Sequence, residues 1–91
     1  MTLGLNTAYD TQLDLKEHIK QLRKAQKLSV EAISEKSGVP YGTVRKFERT
    51  GNISLRQFLM LIEALDELNQ FRQFLQQEKA PKTIDEVLKN A

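Results

Sequence analysis

The chain has 91 residues, 40% hydrophobic and 29% charged, which suits one domain with a single core and excludes a disordered polyelectrolyte. It has no cysteine and one histidine, His18, so disulfide frameworks, zinc knuckles, iron–sulfur clusters and thiol catalysis are out, and a metal site would need carboxylates alone. The net charge of +2 is unevenly spread: residues 16–49 hold nine Lys/Arg against four Glu, a net of +5, whereas 53–91 hold five against six acids.

The elements follow in chain order. The first ten residues lack the basic and apolar regions of a signal peptide, and no apolar run approaches the ~20 residues that span a bilayer. A cytoplasmic protein without membrane association is expected, and the Asn52-Ile53-Ser54 sequon then has no use. With two prolines and four glycines the chain reads as all-α. Asp14, with Glu17 three residues on, reads as the cap of a first helix with Leu15, Ile19, Leu22 and Ala25 at helical spacing. Ser29 caps a second, Val30 to Ser37, and Gly38 ends it where a left-handed residue costs least. Pro40 suits the start of a third, Tyr41 to Arg49, stopped by Gly51-Asn52. Ser54 to Gln57 is a capping box that opens a long apolar helix towards Leu65 and on to Gln77. After Lys79 to Lys82, Thr83 to Glu86 is a second box opening a short last helix with Ile84, Val87 and Leu88.

The third helix has two distinct sides. At ~100° per residue Val44, Phe47 and Glu48 face inward, and Gly42 and Lys46 point the opposite way. Arg45 and Arg49 flank that outer direction on one side, Thr43 and Thr50 on the other. A basic outer face with a short polar start suits a nucleic-acid groove, because helix N-terminal amides favour phosphate and Arg or Lys reads guanine. A solvated helix face is the alternative. Beyond Ser54, Leu55, Phe58, Ile62 and Leu65 fill one core stripe, which leaves Leu61, Leu68, Phe71, Phe74 and Leu75 surplus. Surplus apolar area points to a second subunit at those five residues or to a tail folded back over them, and both can hold.

Helix, three-residue turn, helix is the central feature. Ser34 is small where the two helices cross, Gly38 sits in the turn, and Val39, Val44 and Phe47 lie beneath. From Leu22-Arg23 through Ile33 to Val39, Thr43-Val44 and Phe47 to Gly51, the chain resembles the lambda-repressor-like (Cro/repressor, XRE-type) helix-turn-helix family. The resemblance implies a five-helix DNA-binding domain, taken here as 14–67, with 68–91 as a dimerisation and interaction extension. It implies a transcriptional repressor that binds double-stranded DNA as a homodimer on an inverted-repeat operator, with no cofactor, no metal and no enzymatic activity. Base reading would fall to Tyr41, Gly42, Thr43 and Lys46 with Arg45 at the edge, and Arg49, Thr50 and Asn52 complete the DNA-facing set. Ser29 and the backbone of Val30 would meet phosphate; the family often has Gln where this chain has Val30. The resemblance also pairs Arg23 with Glu48. The tail from Ala80 to Leu88 resembles persistence-type (HipB-like) antitoxin-repressors, which implies a toxin protein as partner. A module of the same fold that binds protein instead of DNA is the alternative; acidic residues on the outer face of the third helix would mark it, and that face has none.

Overall fold

A computed structural model describes residues 7–79. The short helix expected around Ile84, Val87 and Leu88 lies outside the described residues. Five helices follow one another: α1 (Ala8–Ala25), α2 (Val30–Ser37), α3 (Tyr41–Thr50), α4 (Leu55–Ala64) and α5 (Leu68–Lys79). All described secondary structure is helical.

Side-chain caps set most of the boundaries. The Ser29 hydroxyl accepts from the Ala32 amide at 3.0 Å, and that of Ser54 accepts from the Gln57 amide at 3.1 Å. Gly38 and Gly51 close α2 and α3 at φ 82° and 83°, where any other residue would be strained. The first helix starts seven residues earlier than Asp14 suggests. Its cap is Thr7, whose hydroxyl accepts from the Asp10 amide at 3.0 Å while the Asp10 carboxylate accepts from the Thr7 amide. Thr7 to Asp10 thus forms a reciprocal box ahead of the apolar period, and Asp14 lies inside the helix.

The expected long fourth helix is two helices. Asp66 takes φ 62°, and the Glu67 amide donates to the Ile62 carbonyl at 2.8 Å, so the chain turns without a glycine. Asp tolerates the left-handed region better than most residues, and the apolar rhythm runs on through the break, which hides it in the sequence.

The core joins Ile19, Ile33, Val39, Val44, Phe47, Phe58, Leu61, Ile62, Ala64 and Leu65. Helix α4 is central, packed on α2 and α5, so it is buried over an arc wider than one stripe. Two corrections follow. Leu61 is 1% exposed and belongs to the core, not to a subunit interface. Leu55, expected inside, is 72% exposed because it sits on the first turn of α4, past the end of the packing. Phe47, Phe58 and Phe71 form an edge-on ring ladder, with centroids 5.9 and 5.6 Å apart, that joins α3 to α4 and α4 to α5. Leu68 and Phe71 are half-buried against this core, and Phe74 and Leu75 are each 57% exposed.

Two glutamines, one in α1 and one at its C-cap, reach across the domain. Gln12 donates to the Gly51 carbonyl at 2.6 Å, ahead of α4, and Gln26 donates to the Leu65 carbonyl at 3.0 Å, behind it.

Candidate nucleic-acid interface

The pair α2–α3 is locked at its turn. The Ser34 hydroxyl donates to the Val39 carbonyl at 2.6 Å, and the Val39 amide donates to the Ser37 hydroxyl at 3.0 Å. A small residue at the helix crossing therefore also ties down the turn backbone. With Val44 and Phe47 buried, the opposite face of α3 is held outward.

Arg23 fixes the tilt of α3. Its Nε donates to Glu48 at 2.7 Å and its Nη2 donates to the other carboxylate oxygen at 3.0 Å. Its Nη1 donates to the Leu28 carbonyl at 2.7 Å, so one guanidinium joins α1, the α1–α2 turn and α3. Both side chains of the pair are only 10% exposed. A bidentate buried pair of this kind specifies orientation more than it adds net stability. Among the described residues no buried side-chain nitrogen or oxygen lacks a partner.

The residues expected to face DNA divide into two edges of α3. On one edge Arg45 Nη1 donates to the Tyr41 hydroxyl at 2.9 Å, and the guanidinium carbon lies 5.7 Å from the ring centroid. That contact holds a cation and an aromatic ring as one exposed unit. On the other edge Gly42, Thr43 and Lys46 line a shallow cleft with Asn52, Ser54 and Gln57. Gln57, which the sequence marks only as part of a cap, therefore stands beside the residues expected to read bases.

Three expected contacts have structural duties as well. The Thr50 hydroxyl donates to the Lys46 carbonyl at 2.7 Å and accepts from the Asn52 amide at 3.1 Å, so it is spent inside the turn. Val30 is half-buried against the core, which leaves its backbone amide, beside Ser29, as what it can offer a phosphate. Arg49 is exposed in the last turn of α3. Outside this face, Glu17 on α1 accepts from Gln21, and that hydrogen bond, aided by Lys20, Lys16 and Lys24, holds its carboxyl below the usual range.

Gly42 is the most informative residue of the face. Among the described residues a Cβ built there meets nothing within 4 Å, so no described neighbour requires glycine. Glycine in a helix costs about 0.5–1 kcal/mol relative to alanine. Gly42 itself is exposed on the described surface.

A family model described as helix-turn-helix matches residues 19–68, more than half of the chain. Comparisons with curated proteins and with solved structures gave no match.

Proposed function

The chain belongs to the helix-turn-helix family of lambda-repressor-like (XRE) type, and from that premise we propose that it is a sequence-specific repressor acting as a homodimer on an inverted-repeat operator. DNA binding in transcription regulation, not catalysis, is what the family does. The observation that carries the finer reading is Gly42: a helix residue whose missing side chain serves no internal contact, between the Tyr41–Arg45 unit and the Thr43–Lys46 cleft. Close approach of a duplex to that backbone accounts for it. Arg45 and Lys46 then read base edges, while Ser29, the Val30 amide, Arg49 and Asn52 meet phosphates. No described helix is long and apolar enough to cross a membrane. The proposed place of action is the cytoplasm, with the operator.

Two-fold repressors set their recognition helices about 34 Å apart, one DNA turn. Leu68, Phe71, Phe74 and Leu75 on α5 supply the proposed isologous contact, and the exposure of Phe74 and Leu75 supports it. The resemblance of residues 80–88 to antitoxin-repressors extends the proposal to a toxin partner. Truncation after Gln77 should then abolish partner capture and spare DNA binding.

A duplex selected by the wild-type protein from a random-sequence pool is the probe. Arg45→Ala and Lys46→Ala should each weaken binding to it by about 1–3 kcal/mol. Gly42→Ala should weaken binding while raising the unfolding free energy. A folded Arg45→Ala/Lys46→Ala protein that binds this duplex as wild type does overturns the assigned face.

A further inference from the structure

Asn52 is the one member of the DNA-facing set that is held from behind by a helix outside the recognition unit. Gln12, on α1, is half-buried and stands away from the cleft that holds Asn52, lining instead an apolar recess with Leu15, Phe47, Ile53 and Phe58. Its side-chain amide nitrogen donates twice, to the Gly51 carbonyl at 2.6 Å and to Asn52 Oδ1 at 3.0 Å.

The Gly51 carbonyl can only accept. It therefore decides which end of the Gln12 amide faces the turn, and that end is the NH2 group. An NH2 group in turn needs an oxygen opposite it, so Asn52 must present Oδ1 inward. That leaves its own NH2 group free for the exposed surface, where Asn52 lines the cleft with Gly42, Thr43 and Lys46. The Asn52 backbone is fixed by the same turn, because its amide donates to Thr50, whose hydroxyl donates to the Lys46 carbonyl of α3. From this chain of bonds we infer that Gln12 is a positioning residue for DNA binding: it sets the polarity of the Asn52 amide so that a donor, not an acceptor, faces the phosphate backbone. A phosphate oxygen accepts and never donates, so the polarity decides between attraction and repulsion. The inference rests on the proposed phosphate contact of Asn52.

A double-mutant cycle on the selected duplex tests it. Gln12→Met keeps the apolar stem of the side chain against Gly51 and removes the donors. Asn52→Ala should weaken binding roughly two- to tenfold, the range for one hydrogen bond. Gln12→Met should weaken it within the same range in the wild-type background. Once Asn52 is alanine, Gln12→Met should leave affinity unchanged, although it still shifts the melting temperature. A merely structural Gln12 would lower affinity by the same factor in both backgrounds, and that result overturns the inference. So does a Gln12→Met protein that binds as wild type while Asn52→Ala does not. If Asn52→Ala itself binds as wild type, the phosphate contact is absent and the inference fails with it, while the Arg45 and Lys46 results stand on their own.

Discussion

Around α3, helices are joined by polar groups with fixed partners: Arg23 to Glu48 and Leu28, Ser34 to Val39, Gln12 to Gly51 and Asn52. Around α5, apolar contact does most of the joining, with Phe71 against Phe58 and Leu68 beside it. The difference matches the role proposed for each region. A hydrogen bond has direction, so a network of them sets the pose of a helix, as the proposed reading of base edges would require. Apolar burial has no direction and scales with area, which suits the proposed contact with a second subunit.

The buried pair is where a substitution should cost most. Glu48→Ala leaves Arg23 charged and enclosed, and the unfolding free energy in urea should fall by about 3–5 kcal/mol. The double variant Arg23→Met/Glu48→Leu should recover most of that loss yet bind the selected duplex more weakly, since α3 keeps its packing but loses its fixed tilt. A double variant with full affinity would show that directionality is not what the pair supplies. At the other region, Phe71→Ala removes a half-buried ring and should cost roughly 1–3 kcal/mol in the same assay. The smallest effect belongs to Phe74→Ala, which should alter the stability of the dilute, monomeric fold by less than about 0.5 kcal/mol. Sedimentation at micromolar concentration should nonetheless show wild type as a dimer and this variant shifted towards monomer. Equal sedimentation of the two would remove Phe74 from the interface.

Local rules explain why so much of the recognition unit was legible. Ser29, Gly38, Gly51 and Ser54 act within three or four residues of themselves, through caps and left-handed turns. The Arg23–Glu48 contact came from family resemblance; spacing alone does not bring residues 25 apart together. What stayed hidden depends on three-dimensional neighbours. Whether Leu55 or Leu61 is enclosed is decided by how far the neighbouring helices wrap around and along α4, which the helical period alone does not show. Asp66 breaks the helix inside an unbroken apolar rhythm. Gln12 was missed for a simpler reason: with the helix begun at Asp14 it fell outside any element, and Thr7 to Asp10, a cap signature two turns earlier, was the signal that would have brought it in.

Helix α1 also acts as a gauge. Gln12 and Gln26 each bond a carbonyl 39 residues further on, one at the entrance to α4 and one at its exit. Fourteen positions of helix separate the two glutamines, about 21 Å at 1.5 Å per residue, and a helix does not shorten under load. The span between the two turns is thus ruled off against a rigid bar. Inserting one residue between Lys16 and Lys20 would slide one clamp by about 1.5 Å and swing it by about 100°, so the two could no longer close at once. Each clamp also spans a long loop, and loop closure of that length is entropically late. The expected order of assembly is therefore α2 to α4 first and the bar last. In native-state hydrogen exchange, the turns at Gly51 and Leu65 would then open together and before the α2–α3 core.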